Sequence, residues 1–174
     1  MNETLNTLKS RRACRKYKPE QVKEEDLLAI LEAGTYAPTG MGRQSPLIAA
    51  VQNPADYAEL ERLNGRVMGQ ENGHPFYGAP TVLVVFADPK IPTYVADGNL
   101  VIGNLLNAAE AVGVDSCYIW RAEESFESEE GKELKKAWGI PDNYVGVGNV
   151  ILGYGKPGSI GPAPARKEGY IKKV

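Results

Sequence analysis

The stretch TVLVVFADPKIPTYVADGNLVIGNLLNAAEAVGVDSCYIW, residues 81–120, reads as strand, helix and strand in one continuous run. Its opening TVLVVFA is an unbroken β-branched and aromatic series. That is the pattern of a strand covered on both faces, and so of a central strand. From residue 95 the periodicity changes. Val101, Ile102, Leu105, Leu106, Ala109 and Val112 recur at helical spacing, which predicts a long buried helix over 95–112 with Gly113 as its stop. Residues 116–120 then predict a short strand.

Toward the N-terminus, Leu27, Ile30, Leu31 and Gly34 share a stripe at helical spacing behind the acids Glu24, Glu25 and Asp26. They predict an amphipathic helix over 23–36. A short helix over 3–10 precedes it, with Asn2 available to accept from its first-turn N–H groups. Pro46 and Pro54 bound an apolar strand over 47–52, and the Asn53-Pro54 pair opens a helix expected to run to about Leu63. Residues 64–78, rich in Gly, Asn and Pro, read as a loop with at most a helical turn. Toward the C-terminus, 128–138 predicts a helix and 144–153 a final strand containing Gly146 and Gly148. The tail over 155–174, with Pro157, Pro162 and Pro164, predicts an extended segment. Strands separated by helices, without tight hairpin signals, imply a layered α/β sheet in a single domain over 1–174. A Rossmann dinucleotide fold is the competitor. It is disfavoured because the first strand comes late and no GxGxxG joins a strand to a helix.

Composition narrows the function classes. A chain of 174 residues buries roughly 70% of the surface its unfolded form exposes, enough for a sizeable core. Its 43% hydrophobic and 24% charged residues are those of a folded, soluble protein. A formal net charge of -2 argues against whole-surface affinity for nucleic acid. Cys14 and Cys117 stand far apart without CxxC spacing, and His74 is the single histidine, so a Cys/His zinc site lacks ligands. The first ten residues have no apolar signal-peptide core. The 95–112 segment carries Asp97, Asn99, Asn104, Asn107 and Glu110, which a bilayer would not accommodate cheaply. A cytoplasmic protein without membrane or nucleic-acid partners is expected.

Three constellations could carry chemistry. In RRACRKYK, over 11–18, five of eight residues are cationic. A solvated basic turn or weak nucleic-acid patch is one reading. A site for a compact dianion such as a phosphate monoester is the other, if Arg166 and Lys167 of the tail converge on the run. A guanidinium fork suits phosphate oxygens. The second is APTGMGRQSP, over 37–46, at a helix exit, where Pro, Gly and Thr can bring backbone close to a flat ligand and Gln44 offers donor and acceptor. An ordinary helix-terminating loop has the same composition. The third is Asp97-Gly98 at the start of the long helix with GVDSCYIW, over 113–120, at its far end. Asn104 between them suits a role in satisfying neighbouring backbone.

In order and spacing, RRACR (11–15), APTGMGRQ (37–44), GNLLNAAEAVGVDSCYI (103–119), LGYGKP (152–157) and Ala165-Arg166 resemble the nitroreductase family of FMN-dependent oxidoreductases, in its shorter form, over nearly the full length. That family carries an RRSxR-like motif after its first helix and an APSSxNxQP-like loop after its second. A long helix ending in GLGSCWI follows, and a late Gly-Tyr strand precedes a basic C-terminal residue. The resemblance implies an α+β fold, a three-layer α/β/α sandwich around a central, mostly antiparallel sheet. It also implies a domain-swapped-like homodimer, paired through the long helix, with FMN at the interface.

By position in these motifs, Arg11 and Arg166 would grip the FMN phosphate. Arg12, Ala13 and Arg15 would line the ribityl and pyrimidine side, with Arg15 near the N1/O2 edge where reduction deposits negative charge. Pro38, Thr39 and Gly40 would come from the partner chain against the ring, with Gln44 completing that loop's contacts. Backbone N–H groups near Trp120 and Arg121 would address the N5/O4 edge. No catalytic side chain is implied, because hydride moves to and from flavin N5. The implied activity is an NADH- or NADPH-dependent oxidoreductase working by a ping-pong mechanism on a nitroaromatic, a quinone or another small acceptor. A non-catalytic flavin-binding or storage module is the alternative, raised by the bulk of Trp120 and Arg121. The chain departs from the family pattern at Ala13, Thr39-Gly40, Gly42 and Ser45-Pro46. Asn72 and His74 stand in what reads as a surface loop.

Overall fold

Every residue of TVLVVFA is buried, forming β2 (Thr81–Ala87) in a computed structural model that describes residues 2–174. Around it the chain runs α1 (Glu3–Ser10), α2 (Glu24–Thr35), β1 (Leu47–Val51), α3 (Pro54–Val67), β2, α4 (Tyr94–Ala111), β3 (Asp115–Ile119), α5 (Ala122–Glu127), α6 (Glu129–Ala137) and β4 (Val145–Gly153). The strands make one sheet in the order β1-β2-β4-β3, antiparallel at each ladder. Because β2 and β3 both run against β4, they are parallel to each other with β4 between them. The 81–120 run is therefore a split crossover, with α4 carrying the chain over one face and β4 filling the gap last. Helix-separated strands thus coexist with an antiparallel sheet.

Side chains alternate across a strand, and β2 feeds two cores. Val82, Val84 and Phe86 pack with Leu60 and Leu63 of α3, Phe126 of α5 and Leu134 of α6. Leu83, Val85 and Ala87 pack with Leu27 and Ile30 of α2 and with Val101, Ile102 and Leu105 of α4. The result is the three-layer α/β/α sandwich. Each such side chain contributes about 1.5–3 kcal/mol on full burial. Phe86 adds an edge-on contact to Phe126 at 4.8 Å between ring centroids.

Val85 pairs with Gly148 and Phe86 with Gly146, so Val147 is the extra residue of a β-bulge. A Cβ on Gly146 would lie 2.7 Å from the backbone carbonyl of Ala122. That close approach seats α5 on β4.

Two segments differ from the sequence expectation. α3 continues past Leu63 to Val67, because Asn64 and Gly65 are both buried and serve as core-facing positions. An Asn-Gly pair looks like a loop by type but packs like a helix here. α5 was not anticipated. AEESFE is short and acidic, yet Ala122, Ser125 and Phe126 are buried on one side of it. Elsewhere the local chemistry is as expected. Thr4 N donates to Asn2 Oδ1 at 2.9 Å, Asn104 Nδ2 donates to Ala33 O at 3.0 Å, and Gly113 takes φ 78 at the end of α4. Among the described residues, no helix is long and apolar enough to cross a membrane, and no group of His, Cys, Asp and Glu could hold a metal.

Candidate functional site

The basic run lies along the free edge of β3. Ala13 pairs with Ser116 in a parallel bridge, and Cys14 N donates to Ser116 O at 2.9 Å. The run is then tied to the segment after β4, where Lys18 N donates to Tyr154 O at 2.8 Å and Lys156 N to Lys16 O at 2.9 Å. Cys14 and Tyr17 point into the core, while Arg15, Lys16 and Lys18 are exposed. Apolar members anchor the segment and leave its cations free to meet a ligand. Tyr17 donates to Cys14 O at 3.0 Å, and burial, with Cys14 and Cys117 nearby, holds its hydroxyl protonated. Burial pushes the Cys117 thiol up, opposed by the positive fields of Arg15 and Arg11. Both guanidinium groups therefore act on one point of β3. Arg12 folds back, its Nη1 donating to Lys9 O at 2.8 Å and Arg11 O at 2.6 Å. Its Nε is buried without a partner among the described residues.

At the far end of β3, Trp120 is 64% exposed and Arg121 adopts φ 77. Two fully buried carboxamides meet here. Asn64 Nδ2 donates to Trp120 O at 3.2 Å, and Asn149 Nδ2 donates to Ile119 O at 3.1 Å and Trp120 O at 3.3 Å. Arg121 Nε donates to Asn64 Oδ1 at 3.1 Å. The bulk of Arg121 is thereby drawn back onto α3. Sequence reasoning missed both asparagines. The available signals were a lone amide inside the apolar VGVGNVILG strand and the spacing of Asn64 from Leu60 along α3.

The 37–46 loop is held from α4. Asp97, 3% exposed, accepts from Gly40 N at Oδ1 and from Thr93 Oγ1 at Oδ2, each at 2.9 Å. Gln44 N donates to Thr39 Oγ1 at 3.0 Å. Met41 and Gln44 take φ 57 and φ 50, left-handed conformations costly for non-glycine residues. A Cβ on Gly40 would collide with Thr93, so the loop packs directly on the start of α4. Ser45 Oγ is buried without a partner among the described residues. Beside the loop, a groove of about 530 Å³ is lined by Leu28, Leu31, Thr39, Gln44, Leu47 and Val101.

This loop leads into β1, one edge of the sheet, whereas the basic run and Trp120-Arg121 lie at β3, the other edge. Strand spacing of about 4.8 Å puts roughly 14 Å between those edge strands. One chain brings Arg11, Arg12, Ala13 and Arg15 to the strand that ends at Trp120 and Arg121. It does not bring Pro38, Thr39, Gly40 and Gln44 to them. Arg166 lies in the exposed tail, its Nε and Nη2 donating to Pro164 O at 3.2 and 2.7 Å, and among the described residues no hydrogen bond or ion pair joins it to the basic run. His74 and Asn72 are exposed, with His74 Nδ1 3.4 Å from Glu61 Oε2.

The donor set fits a phosphorylated, flat, polar-edged group. Arg11, Arg12 and Arg15 supply cationic forks along one strand edge, one of them with a buried and unused N–H, and acidic side chains do not neutralise them by any ion pair found among the described residues.

The chain is similar to known proteins in sequence and fold. The family model described as the nitroreductase family matches residues 8–154. A nitroreductase from Bacteroides fragilis, solved with bound FMN, is 33% identical and superposes with a TM-score of 0.93, covering 100% of both chains. A nitroreductase with bound FMN from Desulfitobacterium hafniense is 29% identical with a TM-score of 0.88, covering 100% of this chain and 99% of that one. A protein of Archaeoglobus fulgidus, provisionally named an NADH dehydrogenase/NAD(P)H nitroreductase, is 32% identical over 163 residues, which are 90% of this chain and 87% of the relative.

Proposed function

This chain belongs to the nitroreductase family, and on that premise we propose that it binds FMN and acts as an FMN-dependent NAD(P)H oxidoreductase. The observation that carries the reading is the edge of β3, where the cationic run is bonded alongside Ser116 and Arg12 keeps a buried, unused Nε. FMN held there would supply the two-electron chemistry, taking hydride from NADH or NADPH and passing it in a second half-reaction to a nitroaromatic, a quinone or another small acceptor.

The residues bind and orient. Arg11, joined by Arg166 of a tail, would hold the phosphate through charge-assisted hydrogen bonds. Arg12 and Ala13 would line the ribityl side. Arg15 would set a fixed positive charge beside the pyrimidine edge, where it favours the negative charge that reduction brings. Pro38, Thr39, Gly40 and Gln44 belong to the opposite edge of the sheet. They reach the same ring when a second copy of the chain supplies them, which makes a homodimer with shared sites the consistent assembly. Trp120, 64% exposed, then stands where it controls which acceptors approach.

Anaerobic titration tests this reading. Purified protein given FMN should turn yellow and retain the colour through gel filtration. NADH or NADPH should bleach it, and a quinone or nitroaromatic should restore the colour. Protein that stays colourless rejects the FMN assignment. Protein that holds FMN against bleaching by either nicotinamide is a flavin-binding or storage module.

A further inference from the structure

The carbonyl oxygen of Trp120 accepts from two buried carboxamides, Asn64 Nδ2 at 3.2 Å and Asn149 Nδ2 at 3.3 Å. They come from different layers, Asn64 from α3 and Asn149 from β4. The described residues contain no cis peptide, and in a trans peptide the carbonyl and the following N–H point opposite ways. With its carbonyl drawn toward α3 and β4, the Trp120–Arg121 peptide aims the Arg121 N–H away from them. Three further bonds hold the peptides on either side of it and the Arg121 side chain. Asn149 Nδ2 donates to Ile119 O at 3.1 Å, Arg121 Nε to Asn64 Oδ1 at 3.1 Å and Ser125 Oγ to Arg121 O at 2.6 Å.

The arrangement is demanding. Arg121 sits at φ 77, where a glycine would be the unstrained choice. Asn149 Oδ1 is buried with no partner among the described residues. An unsatisfied buried amide oxygen is destabilising, and an apolar residue would pack into β4 without it. What the amide supplies, and an apolar residue cannot, is the donor to Ile119 and Trp120.

We infer that Asn64 and Asn149 are positioning residues that hold the Arg121 N–H outward as a fixed hydrogen-bond donor to the ring edge of the flavin. This rests on the FMN reading above. A donor held before the reaction needs no reorganisation during it. Because both asparagines grip one oxygen, loss of either leaves the peptide partly held. The two losses together should exceed the sum of the single effects.

The test uses FMN-loaded Asn64→Leu, Asn149→Leu and the double variant. Asn64→Leu is uncharged and of similar shape, and it removes the donor to Trp120 without setting a new charge near the flavin. It should shift the visible absorption band and the midpoint potential of the bound flavin. In the double variant both shifts should grow, and anaerobic reduction by the preferred nicotinamide should slow by about a hundredfold, the scale seen when a fixed donor is removed. A double variant with the wild-type band and potential overturns the inference, however far its Tm has fallen. If variants carrying Asn149→Leu do not fold, Asn64→Leu decides alone: a shifted band and potential uphold the inference, and wild-type values overturn it. A colourless wild-type protein removes both the FMN reading and this inference. A yellow wild type with unshifted variants removes this inference alone.

Discussion

Arg11 and Arg15 were legible because a dense cationic run is anomalous in a chain of net charge -2. Their joint action on Cys117 was not, since it depends on the 11–18 run lying beside β3. Arg11→Ala should weaken FMN binding by about 1.5–3 kcal/mol, the range for a hydrogen bond to a charged group, or roughly tenfold to a hundredfold in Kd. Quenching of free-flavin fluorescence during titration measures it, and an unchanged Kd removes Arg11 from the phosphate site. Asn64 and Asn149 illustrate what residue type conceals. An asparagine in a helix or strand gives no sign of its partner, and the Trp120 carbonyl lies 56 residues from Asn64 in sequence. Only the packing of α3 beside the end of β3 joins them.

At the scale of elements, long periodic segments were readable and short or irregular ones were not. β2 and α4 announce themselves through continuous burial and helical spacing. α5, six residues long, has too few positions to establish a period. Its joint with α6 is nevertheless tightly specified. Ser128 Oγ accepts from Gly131 N at 3.1 Å as the α6 cap, and a Cβ on Gly131 would collide with Ser125 O and lie 2.8 Å from Phe126 Cα. Gly131→Ala should destabilise the protein by about 1–3 kcal/mol through overpacking, seen as a lower Tm. A wild-type Tm would show that the α5–α6 joint relaxes freely.

The surface between α3 and α6 makes a separate prediction in pH. Arg62 is 2.7 Å from both Glu59 Oε1 and Glu71 Oε1, and its hydrogen bonds hold both carboxyls below the usual glutamate value. A carboxyl depressed in the folded state contributes stability above its unfolded pKa and loses it as pH falls through the folded one. Arg62→Met should therefore lower Tm slightly at neutral pH, because exposed ion pairs contribute little to stability. The gap should close in acid below the usual glutamate range. A gap independent of pH would mean that the Arg62 stem packs on its neighbours without the charge mattering.

For the molecule as a whole, helices between strands predicted layers but could not fix the strand order. β4 enters between β2 and β3 only after the rest of the chain is laid down. That order has the largest functional consequence, because it sends the 37–46 loop and the basic run to opposite edges of one sheet. In the proposed homodimer each chain would supply one of these edges to a shared site, and α4 would offer the surface that joins them. Val95 and Leu100 are 48% and 47% exposed, and a Cβ on Gly103 would meet nothing within 4 Å. This glycine-notched surface, which also carries Ala96 and Asn99, would allow close approach of a second copy, and a charge set into it would be buried without a partner. Leu100→Glu should convert the protein from twice the chain mass to the chain mass by light scattering. FMN affinity should fall with it by at least about tenfold, although Arg11, Arg12 and Arg15 are untouched. A Leu100→Glu monomer that binds FMN as tightly as wild type would show that one chain completes the site, and the loop at the β1 edge would then need another role.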